Sequence, residues 1–200
     1  MASGIDNYRS GIRASIRGLW LAVFDFGQFY DAMDTAVTNN FTRAWREGAA
    51  ECGVTPEDMT TEEKDALRNA IFLERGFIDG FAEHIMAHDK KNGGALEPLF
   101  SRGELWVLRY EAIRNLAQQM ACKDEKLEWV LGMLKKEHCP SCIKVAGIVK
   151  RGSVWAKHDV RPQHPTKLLC MIGAGGVSVC GCSFRKTSLQ CTPGPLPYLP

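Results

Sequence analysis

Residues 127–145 read LEWVLGMLKKEHCPSCIKV, and at this stretch the character of the chain changes. Its opening residues are of types enriched in β-strands, whereas the sequence before it follows a helical pattern. Cys139 and Cys142 then form a C-x-x-C pair, and a second close pair, Cys180 and Cys182, follows downstream. The stretch therefore predicts the point at which a helical region passes into a small cysteine-rich module.

Upstream of this stretch, apolar residues recur at the spacing of one helix face. The positions that define the first two helices are Tyr8, Ile12, Ile16, Trp20, Phe29, Met33, Val37, Phe41 and Trp45. A break is expected at 25–27. Residues 60–63 provide a cap for a longer helix running towards His88, and residues 101–104 have the capping-box spacing that opens a further helix. Residues 1–122 are therefore predicted to form a helical bundle.

Downstream of the bundle, glycine and proline interrupt the pattern, and only short elements are expected. A second strand is predicted over 143–149 and a single helical turn over 153–158. The sequence predicts an α+β fold that is mainly α. Its parts are a helical domain at 1–122, a cysteine-rich module of loops and short strands at 123–188, and a mobile Pro-rich tail at 189–200.

The chain has two parts of opposite charge. Residues 1–137 carry 17 basic and 22 acidic side chains, whereas residues 138–200 carry 8 basic and 1 acidic. A short basic segment favours nucleic acid or an acidic protein surface, although a solvated face has the same composition. The candidate contact residues are Lys150, Arg151, Lys157, Arg161, Arg185 and Lys186. Arg9, Arg13 and Arg17 form a further basic stripe on the first helix, which is either a solvated face or a phosphate contact.

The longest apolar run near the start, GLWLAVF at 18–24, is followed by Asp25 and is far shorter than a membrane-spanning helix. It also lacks the cleavage site of an export signal. We therefore expect no membrane span and a protein made in a reducing cytosol.

Six of the eight cysteines lie in the last third of the chain, while Cys52 and Cys122 stand alone in helical context. The two isolated cysteines are expected to be separate core residues. The two close pairs have the arrangement of a tetrahedral site with soft sulfur ligands. The candidate ligands are Cys139, Cys142, Cys180 and Cys182, with Cys170 or His138 as alternates.

Three interpretations of the cysteine cluster stay open. Structural zinc is favoured, because a reducing cytosol disfavours disulfides and a metal offsets the small core of a Gly/Pro-rich segment. Disulfides come second. Redox catalysis comes last, because a thioredoxin-like CPSC needs a βαβ context with a helix after the motif, and no such helix is expected here.

Other candidate sites carry less weight. His84 and His88 lie four residues apart, but EHIMAH lacks the glutamate that directly follows the first histidine in metalloproteases, so two surface histidines are expected. The glycine cluster at 173–176 lacks the Lys-Ser/Thr ending of a phosphate loop. No Ser-His-Asp or nucleophile-elbow motif is present either.

Several motifs between residues 127 and 184 occur together as in one known family. They are Leu127-Glu128-Trp129-Val130-Leu131, Glu137-His138-Cys139-Pro140-Ser141-Cys142, Ser153-Val154-Trp155, His158-Asp159, Arg161-Pro162 and Cys180-Gly181-Cys182-Ser183-Phe184. On these residues the chain resembles the minor head proteins of tailed phages, the head-morphogenesis family of the phage Mu type. That family usually closes on C-R-C, whereas Gly181 stands between the cysteines here, so no contact made by that arginine carries over.

The resemblance implies a low-copy structural protein inside the head or at the portal, needed for assembly or DNA delivery. It implies portal or capsid proteins as partners, no catalysis and no small-molecule substrate. The chain would occur in the host cytoplasm during assembly and then in the virion head. From the charges we expect the acidic bundle to meet a portal or capsid protein and the basic module to face packaged DNA.

A small zinc-knuckle regulator that binds nucleic acid is the alternative function. The basic C-terminal segment suits it. The segment has few aromatic residues for base stacking beyond Trp155 and Phe184, and it lacks a recognition-helix pattern.

Overall fold

The computed structural model describes residues 4–132, 138–163 and 180–197. The fold is α+β and mainly α, as the sequence predicts. The helices are α1 (Gly4–Trp20), α2 (Phe26–Ala50), α3 (Thr61–Arg75), α4 (Ile78–Ala87), α5 (Leu96–Ala121), α6 (Pro140–Val145) and α7 (Gly152–Lys157), and the strands are β1 (Lys126–Val130), β2 (Val149–Arg151) and β3 (Ser183–Lys186). Within the described ranges, none of these helices has the length and apolar character needed to cross a bilayer.

The chain divides into two compact units, each made of two segments. Unit 1 comprises residues 1–43 and 65–110, and unit 2 comprises residues 44–64 and 111–200. Helices α2, α3 and α5 each have residues in both units. The predicted division after residue 122 therefore does not coincide with the division between the units, because the ends of two long helices belong with the cysteine-rich segment.

The core of unit 1 is aromatic, and the apolar spacing of α1, α2, α4 and α5 places its members. The ring of Tyr8 packs edge-on against Phe41 with centroids 6.5 Å apart. Phe81 contacts Phe29 at 6.2 Å and Trp106 at 5.0 Å. All five side chains are buried. The helical periodicity seen in the sequence thus marks the residues that form this core.

The basic stripe on α1 makes contacts within unit 1. Arg9 and Arg13 form ion pairs with Glu104 of α5, at 2.9 and 3.2 Å. The guanidinium groups of Arg13 and Arg17 lie over the ring of Phe100, 5.2 and 5.9 Å from its centroid. The stripe therefore links α1 to α5, although Arg13 and Arg17 are also exposed to solvent.

Two predicted helix boundaries are wrong. The helix expected from residue 60 towards His88 is two helices, α3 and α4, with the break at 76–77, where Gly76 weakens the helix. Residues 101–104 do not cap α5, because that helix already begins at Leu96. A capping sequence does not start a helix when the residues before it are already helical.

The predicted cap at the start of α3 is present as a reciprocal capping box. The backbone N–H of Thr60 donates to Glu63 Oε2 at 2.8 Å, and the N–H of Glu63 donates to Thr60 Oγ1 at 3.2 Å. Glu63 is 4% exposed, so its carboxylate is held mostly out of water by this arrangement. The box satisfies backbone donors that the first turn of a helix leaves unpaired.

Replacing Thr60 with alanine is expected to destabilise the protein by about 1 kcal/mol, the usual contribution of an N-cap side chain. Urea unfolding measures the change in free energy. Thr61→Ala is the matched control, because Thr61 is exposed and is the first residue inside the helix. Equal stability of the two variants would contradict the role of the capping box.

Unit 2 contains a three-stranded antiparallel sheet in the order β2-β1-β3. Alternate residues of the central strand point to opposite faces, so that Leu127 and Trp129 are buried. Trp129 lies opposite Phe184 of β3, which is also buried. The strand predicted at the opening of the quoted stretch is therefore confirmed, and one of its faces forms the core of the unit.

The strand predicted over 143–149 is wrong except at its last residue, Val149, where β2 begins. Cys139 caps α6, Pro140 occupies the first helical position, and the helix runs to Val145 before β2 begins. A helix therefore does follow the CPSC motif, contrary to expectation. The sheet is nevertheless antiparallel, so the parallel βαβ context of a thioredoxin-like site is not found in the described residues. The predicted helical turn near 153–158 is confirmed as α7.

The described part of the Pro-rich tail is hydrogen-bonded to β2, and the expected mobility of the tail stays a prediction. Lys150 donates from Nζ to the carbonyl oxygens of Thr192 and Gly194, at 2.6 and 2.5 Å. The backbone N–H of Thr192 donates to the carbonyl of Val149 at 2.9 Å. Thr192 and Gly194 thus provide the acceptors for the buried ammonium group of Lys150.

Candidate metal centre

The predicted ligand pairs lie at the ends of two elements of unit 2. Cys139 and Cys142 lie at the N-terminus of α6, where the Pro140 turn brings them to the same end of the helix. Cys180 and Cys182 directly precede β3, which pairs with β1. Strand pairing thus brings together two motifs that are far apart in sequence.

Three of the predicted ligands form a compact buried cluster. The Sγ atoms of Cys142, Cys180 and Cys182 all lie within 4.8 Å of one another, and those of Cys142 and Cys180 are 3.5 Å apart. None of the three residues is more than 2% exposed. This set of soft sulfur ligands could hold a metal ion.

Cys139 belongs to the same buried core and is 1% exposed. Its Sγ accepts a hydrogen bond from the backbone N–H of Cys142 at 3.3 Å. The three sulfurs that lie within 4.8 Å of one another are those of the other three cysteines. Cys139 is linked to this cluster by its hydrogen bond with Cys142.

Backbone N–H groups point at the other sulfurs of the cluster. The N–H of Cys182 donates to Cys180 Sγ at 3.4 Å, and the backbone of Gly132 hydrogen-bonds Cys182. A bond with Cys142 lowers the pKa of Cys182, but a bond with Cys180, burial and the charge of Cys180 together raise it above the ordinary value. Burial and the neighbouring sulfur of Cys180 therefore favour the neutral thiol of Cys182.

Glycine at position 132 is required by a close approach of two backbones. A Cβ at this position would lie 2.7 Å from the carbonyl oxygen of Gly181, which is the residue between the two cysteines of the second pair. A side chain at 132 would push the second cysteine pair away from the first.

Of the two alternate ligands, His138 lies within the described residues and Cys170 does not. His138 Nε2 lies 2.7 Å from the carbonyl oxygen of Gly132, so this ring nitrogen is engaged by the backbone.

Three aromatic side chains pack in the same buried core as the thiols. Trp129, Trp155 and Phe184 contact one another with centroids 5.4 to 5.6 Å apart. The indole N–H of Trp155 donates to the carbonyl of Leu127 at 3.2 Å. These rings share one apolar core with the cysteines, which limits access of water to a bound ion.

A buried chain of side-chain amides connects α5 to the second cysteine pair. Asn115 Nδ2 donates to Gln163 Oε1 at 3.2 Å, and Gln163 Nε2 donates to the carbonyl of Cys180 at 2.7 Å. Asn115 Oδ1 also accepts from the backbone N–H of Phe184 at 3.1 Å. Both amides are more than 90% buried. They fix the backbone on both sides of the C-G-C segment.

The backbone of Gln163 is strained. Its φ of 63° lies in the left-handed region, which costs a residue other than glycine on the order of 1 kcal/mol. The hydrogen bonds to Asn115 and Cys180 offset this cost. No local sequence pattern predicts this role of Gln163.

Replacing Gln163 with alanine is expected to weaken metal binding by about 10- to 100-fold, the usual effect of losing a residue that positions a ligand. Competition with a chromophoric chelator measures the affinity. Gln119→Ala is the matched control, because Gln119 is also buried but donates to the carbonyl of Val160 and not to the backbone of a cysteine. Equal affinities for the two variants would contradict the positioning role.

The six basic candidate contacts do not form one free surface. Lys150 is 7% exposed and bonds the tail, and Arg161 pairs with Asp159 at 3.3 Å. Burial lowers the pKa of Arg161, although Asp159 opposes the shift. Both side chains therefore make contacts within the described part of the chain.

The other four candidates are more exposed, and three have partners. Arg185 pairs with Glu128 at 2.7 Å and Lys186 with Glu125 at 2.8 Å. Arg151 donates to the carbonyl of Asp124 at 2.8 Å. Arg151 and Lys186 border a shallow cleft of about 480 Å³ that is also lined by Asp124 and Glu125, so its charge is mixed. Lys157 is exposed and forms no ion pair with any described residue.

Cys122 is a core residue, as expected, and Cys52 is partly buried against the same core. The two are joined in a disulfide, which the sequence analysis did not predict. Their Cα atoms are 5.5 Å apart although the residues are 70 positions apart in sequence. Cys122 is fully buried in the core that contains the thiol cluster. The bond links the turn after α2 to the residue that follows α5. No local sequence pattern predicts such a contact between distant residues.

The histidine pair on α4 stacks with ring centroids 4.5 Å apart, and His88 Nδ1 contacts the carbonyl of His84 at 2.9 Å. Burial, Arg102 and His88 together lower the pKa of His84. Among the described residues, no set of three or more metal-ligating atoms includes either histidine.

Comparison with protein-family models, with curated proteins and with solved structures gives no significant match. The function of the chain is therefore inferred from its residues and their geometry.

Proposed function

We propose that this chain is a structural protein of a tailed-phage head whose unit 2 is stabilised by one zinc ion. The ligands are Cys139, Cys142, Cys180 and Cys182. The observation that carries the proposal is the burial of both predicted cysteine pairs in one core, with three sulfurs within 4.8 Å of one another. These pairs belong to the motifs on which the chain resembles minor head proteins.

Zinc accounts for the cluster better than disulfides do. The 3.5 Å between Cys142 and Cys180 exceeds the roughly 2.05 Å of a disulfide bond. Backbone N–H groups donate to the sulfurs of Cys139 and Cys180, and the backbone of Gly132 hydrogen-bonds Cys182, as is common around metal-bound cysteine sulfur. A bound zinc ion would supply the positive charge that these crowded sulfurs need.

A structural role is also favoured over catalysis by the thiols. A reactive cysteine must be reached by its substrate, whereas these four are at most 2% exposed. Zinc ligation would further reduce their reactivity.

The charge distribution favours protein partners, such as portal or capsid proteins, over DNA. Five of the six basic candidates are buried or engaged within the chain, and Lys157 alone among them lacks an ion pair or hydrogen bond with described residues. Tight nucleic-acid binding depends on several cations free to meet phosphates. The zinc-knuckle regulator therefore receives no support from this surface.

Particles purified on a density gradient from the strain that encodes the chain test the head assignment. We expect mass spectrometry to find the chain in the particles at low copy number, and deletion of its gene to stop the formation of infectious particles. Normal particles without the chain would contradict the assignment. The zinc site is tested separately by metal analysis of the purified protein.

A further inference from the structure

The thiol cluster of unit 2 brings together two sulfurs from distant parts of the chain. Cys142 Sγ and Cys180 Sγ are 3.5 Å apart, although the residues are 38 positions apart in sequence. A disulfide bond is roughly 2.05 Å long, so the two sulfurs need to approach each other by only about 1.5 Å to bond. The fold therefore holds this pair in position for a cross-link if the cluster is oxidised.

Contacts within the chain keep both members of the pair in place. Cys142 lies in the first turn of α6 and donates its backbone N–H to Cys139 Sγ at 3.3 Å. The carbonyl of Cys180 accepts a hydrogen bond from Gln163 at 2.7 Å, and β3, which follows closely, pairs with β1. Oxidation of the folded chain therefore starts from two sulfurs that are already neighbours.

The rival disulfides are those within each predicted pair. In an unfolded chain, loop closure costs least for cysteines that are close in sequence, which favours Cys139 with Cys142. In the folded chain, Cys139 is not one of the three sulfurs that lie within 4.8 Å of one another. The pairing that forms thus shows whether the fold or the sequence spacing directs oxidation.

The core around the cluster already contains a disulfide. Cys122 is fully buried in this core and is bonded to Cys52, which packs against it. Disulfides persist in oxidising surroundings. A chain in which the Cys52–Cys122 bond has formed is therefore exposed to conditions that also act on the thiol cluster.

We infer that Cys142 and Cys180 form a disulfide when the thiol cluster is oxidised, and that this bond replaces zinc as the link between α6 and the segment before β3. The inference rests on the proposed zinc site, because it concerns the ligands of that site. Unit 2 then keeps a covalent link between the same two segments after the metal is lost.

Hydrogen peroxide is a suitable oxidant, because it is small and uncharged and enters by local opening of unit 2. One of the two thiolates attacks a peroxide oxygen and breaks the O–O bond, which gives a sulfenic acid and, with a proton from solvent, water. The other thiolate attacks the sulfenic sulfur, forms the S–S bond and expels hydroxide, which takes up a second proton and leaves as water. The two sulfurs lose two electrons, which peroxide accepts, and the loss of two ligands releases the zinc ion.

Disulfide mapping of the full, zinc-loaded chain after treatment with hydrogen peroxide tests the inference. Trypsin separates the two predicted cysteine pairs into peptides 137–144 and 168–185, because lysines and arginines lie between them. After alkylation of the remaining thiols, we expect mass spectrometry to find these peptides linked, with fragmentation assigning the bond to Cys142 and Cys180. A chromophoric chelator should report one zinc released for each link formed.

The matched control is the same chain oxidised in guanidinium with chelator present. There the link between the two peptides should fall by about tenfold or more, and Cys139 should pair with Cys142. Cys180→Ser should lose the link, whereas Cys170→Ser should keep it, although Cys170 lies in the same tryptic peptide.

Thermal unfolding tests whether the disulfide takes over the role of the metal. The oxidised chain should melt about 5 °C or more above the reduced, metal-free chain, because a cross-link restricts the unfolded state. Equal melting temperatures would overturn this part of the inference.

A main link between Cys139 and Cys142 in the folded chain, a link through Cys170 or Cys182, or the same pairing with and without guanidinium would overturn the inference. Zinc released without a link between the peptides would also overturn it and leave the zinc site standing. A Cys142–Cys180 link without zinc release would support the pairing and contradict the proposed zinc site.

Discussion

Replacing Cys142 with serine is expected to abolish stoichiometric zinc binding and to unfold much of unit 2. Cys142 belongs to the three-sulfur cluster and also donates its backbone N–H to Cys139. Structural zinc supplies on the order of 10 kcal/mol of apparent binding free energy in small zinc domains. Loss of a ligand should therefore lower the zinc affinity by more than about 100-fold. This exceeds the effect expected from replacing a residue, such as Gln163, that only positions a ligand.

Chelator competition and thermal unfolding measure these two effects. Cys191→Ser is the matched control, because Cys191 is an exposed free cysteine. Cys139→Ser should behave like the Cys142 variant, which tests the fourth ligand separately. If Cys142→Ser kept its zinc and its melting temperature, the cluster would not be a metal site.

Replacing Trp129 with alanine is expected to destabilise the protein by about 3–5 kcal/mol, the usual cost of removing a large aromatic side chain from a core. Trp129 is fully buried and contacts both Trp155 and Phe184. Its indole nitrogen has no hydrogen-bond partner in the described part of the chain, so packing accounts for its contribution.

Chemical denaturation monitored by circular dichroism measures this effect on the metal-loaded protein. Ile143→Ala is the matched control, because Ile143 is 58% exposed and should change the stability by less than about 0.5 kcal/mol. A loss below 1 kcal/mol in the Trp129 variant would mean that the aromatic cluster does not stabilise unit 2.

Local patterns in the sequence predicted much of the fold. The four-residue spacing from Tyr8 to Phe41 marks the buried face of α1 and α2, and the opening of the 127–145 stretch marks β1. The close spacing of each cysteine pair predicted the members of the thiol cluster. These features depend on neighbours along the chain, which a sequence displays directly.

Features that depend on distant residues could not be predicted in this way. The Cys52–Cys122 disulfide and the amide chain through Gln163 join segments that meet only in the folded chain. Charge alone also misled the assignment of Lys150, since burial and the tail determine its role. The sequence shows that the C-terminal segment is basic. It does not show which of its cations are already paired within the fold.

The disulfide bears on the compartment in which the protein matures. Disulfides persist in oxidising surroundings, whereas a zinc site needs reduced thiols. In a particle assembled in the cytosol, Cys52 and Cys122 are expected to be thiols at first and to oxidise after release. The thiol cluster is protected from the same oxidation if zinc is bound.

Metal analysis of freshly purified protein, combined with a thiol titration before and after chelation, tests the central claim most directly. One zinc per chain is predicted, with four thiols that become reactive only when the chelator removes the metal. Absence of zinc, with the four cysteines of the cluster either oxidised or freely reactive without chelator, would contradict a structural zinc site.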